Sequence, residues 1–237
     1  MRQDGTMKIQ GLQKMTLLDY PGRVACTVFL GGCDLRCPFC HNFELVEGPM
    51  PQAIDEEEFF AFLDKRHGLL DGVAITGGEP CLRSDLPAFL ERVRDAGFPV
   101  KLDTNGTHPQ MLQHLIEDGL VSYVAMDVKN SPEKYAQTVG VPAIDLAPIR
   151  QSVELLLRGN VDYEFRTTVI REFHEGPDFE RIGAWIRGAR RYFLQPFTQR
   201  DTVPNQSLHA PRATELHAWK DIMARYVQQV EIRGLED

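Results

Sequence analysis

Three of the five cysteines fall within eight residues, Cys33-Asp34-Leu35-Arg36-Cys37-Pro38-Phe39-Cys40. Gaps of three and then two residues put the sulfurs on one tight turn, where their thiolates can converge on a single soft-metal centre. No fourth protein ligand is evident nearby. A structural zinc site closes four positions with thiolate or imidazole, whereas three thiolates on a four-iron, four-sulfur cluster leave one iron open. Zinc would need His41 as its fourth ligand, cramped against Cys40, because adjacent residues rarely reach one tetrahedron. A non-catalytic zinc-binding module is thus the alternative outside enzyme chemistry.

Further chemical groups stand where predicted strands end. Gly77-Gly78-Glu79-Pro80 follows one strand directly, and its glycines can present peptide N–H and C=O groups at close range. Asp103-Thr104-Asn105-Gly106 ends the next strand and Asp127-Val128-Lys129 the one after. A lone aspartate there is commonly a cap or turn former. Two at successive strand ends, with a lysine, suggest a charged ligand. Arg166 interrupts an apolar strand, so its guanidinium must reach a carboxylate neighbour or the ligand. Asp19-Tyr20-Pro21-Gly22 has Pro and Gly placed for a tight reversal.

The elements that must position these groups repeat. Residues 23–30 read as a strand apolar on both faces, as in a covered parallel sheet, and Gly31-Gly32 frees the chain to turn into the cysteine loop. Helices are predicted over 55–65, 84–96 with Ser84 as N-cap, 109–117, 146–157, 178–187 and 212–227. Strands are predicted over 72–76, 99–102, 121–126, 163–169 and 192–194. Six strands alternating with helices argue for an α/β fold with a parallel sheet, too few for a closed eight-stranded barrel. Residues 1–22 are a lead-in holding a strand at most, Met7 could equally be the natural start, and Val230-Glu231-Ile232 is expected to pack outside the sheet with the last helix. Pro51, Pro142, Pro148 and Pro204 punctuate loops, and 198–207 is the expected flexible loop, either a lid or a connection.

Composition sets the bounds. With 237 residues, 43% of them hydrophobic, the chain fits one domain with an ample core. A net charge of -8 opposes nucleic acid or an anionic membrane as principal partner. Neither a leader nor an apolar run of the roughly 20 residues that span a bilayer is present, so a cytoplasmic protein is expected. An odd cysteine count suits a reducing compartment, with Cys26 as core and Cys81 as a small loop residue; both sequons, at Asn105 and Asn205, then read as chance matches. Two spare cysteines limit the chain to one cluster.

The C-x3-C-x-aromatic-C motif resembles that of the radical S-adenosylmethionine (SAM) superfamily, and His41-Asn42 is similar to its glycyl-radical-enzyme activases, above all the anaerobic ribonucleoside-triphosphate reductase activating proteins. The likeness extends over 18–22, 29–32 and 44–46 and continues in islands to about residue 197. It implies a partial (β/α)6 barrel over 23–197, one 4Fe-4S cluster on Cys33, Cys37 and Cys40, and SAM on the open iron. It implies reductive SAM cleavage to a 5′-deoxyadenosyl radical and hydrogen abstraction from a glycine Cα in a partner enzyme, with an electron from a flavodoxin or ferredoxin.

The same resemblance assigns Phe39 and His41 to the cofactor, Gly77, Gly78 and Glu79 to the methionine amino group, and Lys129 to its carboxylate, with Arg166 as a further SAM contact. Asp103, Thr104 and Asp127 would surround a monovalent cation, Asn105 would lie near the ribose, and Asp19 would hold the target peptide. The chain departs from pyruvate formate-lyase activases at Tyr20, where they carry glycine, and near Thr198, where they offer a histidine. His174 and His209 receive no role. A 7-carboxy-7-deazaguanine synthase is the alternative that keeps the cofactor chemistry and changes the substrate.

Overall fold

The structure is a computed structural model describing residues 7–50 and 52–234; the first six lead-in residues, Pro51 and residues 235–237 lie outside the described residues. The strands are β1 Ile9–Thr16, β2 Ala25–Leu30, β3 Gly72–Gly77, β4 Val100–Thr104, β5 Tyr123–Asp127, β6 Asp162–Val169, β7 Arg191–Pro196 and β8 Gln229–Ile232. Within each compact unit described below, the strands are ordered along the sheet as along the chain. The helices are α1 Glu56–Asp64, α2 Leu86–Asp95, α3 Pro109–Glu117, α4 Tyr135–Val139, α5 Ala147–Leu157, α6 Gly176–Trp185 and α7 Ala213–Met223. Contacts divide the chain into two compact units, one of residues 1–34, 44–104 and 110–124, the other of 35–43, 105–109 and 125–237.

In the first unit β1 runs antiparallel to β2, and β2, β3 and β4 are parallel, with Ala25 opposite Gly72 and Leu30 opposite Gly77. Phe59 and Leu63 of α1, and Leu86, Phe89, Leu90 and Val93 of α2, recur at helical spacing and are buried, and the Phe59 and Phe89 rings meet at 5.4 Å. Each such side chain contributes roughly 1.5–3 kcal/mol by leaving water. Ser84 is not the cap of α2. The helix starts two residues later behind Asp85, whose carboxylate is held by Arg83 at 2.7 and 3.0 Å, and Pro87 takes a first-turn position that needs no N–H.

In the second unit β6, β7 and β8 are parallel. The 230–232 tail, expected to pack outside the sheet, instead adds a strand beside β7, Leu194 opposite Ile232. The reason follows it in the chain: Arg233 forks onto the fully buried Glu164 of β6 at 2.7 and 2.8 Å and lies 3.6 Å from the centre of the Phe193 ring. An ion pair of that geometry satisfies a carboxylate that could not be buried alone. Pro148, expected in a loop, lies in the first turn of α5. The short α4 was not anticipated.

Candidate active site

In the first unit, β3 and β4 deliver their last residues side by side. Gly78 N–H donates to Leu30 C=O at 2.8 Å and Glu79 N–H to Gly32 C=O at 2.7 Å. A Cβ on Gly77 would stand 2.3 Å from Leu30 O, and one on Gly78 2.0 Å from Gly32 O. The N–H groups of Gly78 and Glu79 are thus engaged by β2 and its exit, and residues 77 and 78 are glycine because those backbones touch. Glu79 is buried, and its Oε1 accepts from Cys81 N–H at 3.0 Å and Thr104 Oγ1–H at 2.8 Å. Asp103 forms an ion pair with the buried Lys101. Two of the three residues expected around a monovalent cation therefore have partners within the chain.

Asp19 lies in the same unit at the opposite ends of the strands. Thr27 Oγ1 donates to its Oδ2 at 2.6 Å, and its N–H reaches Thr16 Oγ1 at 3.3 Å. Next to it the Tyr20 hydroxyl pairs with Ser122 at 2.8 Å and its ring lies over Gly72, the first residue of β3. The six residues of β3 put roughly 17 Å between Gly72 and the Gly77 end.

In the second unit the segment 35–43 is held from three sides. Arg36 N–H donates to Val139 C=O at 2.9 Å, where α4 ends, and Gly140 sits so close that a Cβ would fall 2.3 Å from Arg36 O. The buried Phe39 ring packs against Phe173 at 6.2 Å. The third side is the 198–207 loop: Asn205 N–H donates to Pro38 C=O at 3.0 Å and Thr202 Oγ1 to His41 C=O at 2.9 Å. The His41 ring stacks on Phe197 at 5.7 Å with its Nε2 2.6 Å from Thr198 O. Phe39 and His41, the two residues assigned to the cofactor, thus also help to fix the loop.

Where β5 ends, Asp127 joins two cations: Oδ1 accepts from Arg166 Nε at 2.8 Å and Oδ2 from Lys129 Nζ at 2.9 Å. Burial alone would raise the Asp127 carboxyl, but the Arg166 and Lys129 charges outweigh it and hold it far below the usual carboxylate range. Burial pulls Lys129 down and Asp127 more than restores it, so its ammonium persists above its ordinary range. Burial pushes the Cys40 thiol up, opposed by the Lys129 charge. The expectation that Asp127 ligates a monovalent cation meets two side-chain cations already in place. Arg166 has the carboxylate partner that its burial demanded. Asn105 is buried and its Oδ1 accepts from Thr107 N–H at 2.9 Å and Thr107 Oγ1 at 2.6 Å, a local turn.

No disulfide joins any two of the five cysteines. Among the described residues, no group of three or more His, Cys, Asp or Glu side chains is gathered as a site for one metal ion. His41, the imidazole that zinc would require, has its Nε2 at Thr198 O. What the loop offers is three thiols with no carboxylate or imidazole in the set, and soft donors alone fit an iron–sulfur cluster.

Residues 27–178 match the sequence pattern of the radical SAM superfamily, and the chain belongs to that superfamily of enzymes. A Methanocaldococcus jannaschii protein named as a candidate glycyl-radical enzyme activating enzyme is 32% identical over 235 residues, 96% of each chain. A 7-carboxy-7-deazaguanine synthase of Koribacter versatilis is 30% identical over 156 residues, 65% of each. Among solved structures, Streptococcus suis SuiB bound to S-adenosylmethionine has the same fold over 89% of this chain and 52% of its own, with a TM-score of 0.68 at 12% identity. No helix among the described residues is long and apolar enough to cross a membrane.

Proposed function

We propose that the protein is a glycyl-radical-enzyme activase: it cleaves SAM reductively at a 4Fe-4S cluster and removes a glycine Cα hydrogen atom from a partner enzyme, anaerobic ribonucleoside-triphosphate reductase. The observation that carries this reading is the likeness to a candidate activating enzyme along 96% of both chains, where the deazaguanine synthase matches over 65%. When bound, the reduced cluster would supply one electron to the SAM sulfonium, breaking a C–S bond to release methionine and the adenosyl radical that would take the glycine hydrogen atom; a flavodoxin- or ferredoxin-like carrier would re-reduce the cluster. Cys33, Cys37 and Cys40 hold the cluster. Lys129, steadied by Asp127 and Arg166, binds the methionine carboxylate, and Gly77 and Gly78 receive its amino group through carbonyl oxygens. Asn105 lies toward the ribose. Lys101 supplies the cationic company of Asp103, so no separate monovalent cation is part of the proposal.

The target loop is not assigned to Asp19, whose carboxylate is held by Thr27 at the strand ends away from Gly77. Glycine suits that loop because, without a side chain, its Cα can approach the adenosyl carbon closely. The test is anaerobic: reconstituted protein, reductant and SAM should release 5′-deoxyadenosine, and co-expressed reductase should gain a glycyl electron-paramagnetic-resonance doublet. A doublet that never forms, with turnover of a free 7-deazaguanine precursor instead, replaces the activase by the synthase. Protein that holds zinc and leaves SAM intact overturns both.

A further inference from the structure

The two residues leaving β5 have every peptide group engaged. Val128 N–H donates to Arg166 C=O at 2.8 Å, and Val128 C=O accepts at 2.6 Å from Thr167 Oγ1, itself the acceptor of the buried Tyr192 hydroxyl at 2.6 Å. Lys129 N–H donates to the hydroxyl of the fully buried Tyr135 at 3.3 Å. Lys129 C=O faces His174 Nε2 at 3.0 Å.

Burial holds the His174 imidazole below its usual range, so it carries one proton. Nε2 faces only the Lys129 carbonyl, whereas Nδ1 lies 3.1 Å from both the N–H and the C=O of Ile170; the proton therefore sits on Nε2, and Nδ1 accepts from Ile170 N–H. The ring is 2% exposed and packs on Phe179 at 5.8 Å. Its own loop is pinned in turn, with Asn130 Nδ2 donating to Phe173 C=O at 3.0 Å and to Thr138 Oγ1 at 2.8 Å. Asp178, fully buried, receives Ser131 Oγ at 2.9 Å and Lys134 Nζ at 2.8 Å, which ties the residues just after Lys129 to the start of α6.

We propose that His174 and Tyr135 are positioning residues which clamp the Lys129 backbone from its two sides and so fix the direction in which its ammonium meets the SAM carboxylate. The inference rests on the activase reading only through SAM binding at Lys129. A long lysine held by its side chain alone samples many rotamers, and each would bind an anion differently. With N–H and C=O both tethered and Nζ on Asp127, that freedom is removed before the ligand arrives. The donor at Lys129 C=O is a neutral imidazole, so it adds no charge of its own to the ligand's surroundings.

The experiment measures SAM affinity of the reconstituted protein anaerobically, beside iron per chain and unfolding. His174→Leu should weaken SAM binding about tenfold, the value of one well-placed hydrogen bond, while iron content stays as in the parent protein. His174→Gln, which can present an N–H at the same place, should recover most of the loss, and Tyr135→Phe should weaken binding about threefold. In a Lys129→Met background the His174→Leu change should add nothing, because its effect passes through that lysine. Equal weakening in both backgrounds, or unaltered affinity in both His174→Leu and Tyr135→Phe, overturns the clamp. Should His174→Leu not fold, the glutamine and phenylalanine variants, each set against Lys129→Met, test the same coupling. Failure of the parent protein itself to bind SAM would instead overturn the activase reading.

Discussion

Thr104 Oγ1 donates to Glu79 Oε1 across 2.8 Å, binding the last residue of β4 to the acid that follows the glycine pair after β3. Both side chains are all but inaccessible to water, so the bond has no solvent substitute. Thr104→Val should destabilise the protein by about 1–3 kcal/mol, with Thr104→Ser close to the parent. Denaturant unfolding under anaerobic conditions measures the difference.

The glycines near the cysteine loop differ in what an added methyl group would meet. At Gly78 it meets the rigid backbone of Gly32 at 2.0 Å; at Gly31 it meets Gln10 Cγ and Met50 Sδ at 3.0 and 3.1 Å, side-chain atoms that can shift. Gly78→Ala should therefore lose roughly 3 kcal/mol or fail to accumulate, and Gly31→Ala about 1 kcal/mol or less. Thermal unfolding and soluble yield separate the two.

Acid and alkali should act on the Asp127 triad at widely separated limits. The folded carboxyl of Asp127 lies below its unfolded value of about 3.9, so its contribution is complete above that pH and is lost only as pH falls further. Folded Lys129 lies above its unfolded value of about 10.4, so its share is complete below that pH and is lost as pH rises through the folded value. Asp127→Asn leaves two cations without their carboxylate and should cost about 3–5 kcal/mol. That difference should stay level between about pH 5 and 9, as urea titrations across the range would show.

Cysteine reactivity divides by burial. Burial pushes the Cys26 thiol up to about 12 and the Cys81 thiol well above its usual range, the latter helped by Glu79. Cys33 and Cys40 are partly exposed. Alkylation of the metal-free protein at about pH 8 should label Cys33 first and Cys40 more slowly, because burial raises the Cys40 thiol, while Cys26 and Cys81 resist until denaturant is added. Peptide mass mapping reads the order, and early labelling of Cys26 would contradict the packing of β2.

Residue type and period made much of this legible in advance. The helix over Pro109–Glu117 has the limits its pattern predicted, because apolar spacing, the opening proline and length agree there. Helix α4, of five residues, is too short for a period to register, and β8 depends on Glu164, which stands 69 residues from Arg233. At the site the same division holds. Asp127, Lys129 and Arg166 could be singled out because charge at the end of an apolar run requires a reason. His174 could not, since it acts on a carbonyl 45 positions away, and only the fold brings backbone and imidazole together. The glycine pair was noticed for the close approach it permits, and what the sequence could not show is that a neighbouring main chain already makes that approach.

The partners of His41 in the loop after β7 stand 157 and 161 positions away in sequence. A synthetic maquette copying Cys33 to Cys40 would keep the sulfurs and lose that distant brace, together with the Val139 and Phe173 supports. Such a peptide would be a floppy chelator, open to ligand exchange and to air. Transplanting the motif into another scaffold thus means carrying over a discontinuous collar of residues, of which the octapeptide is the smaller part.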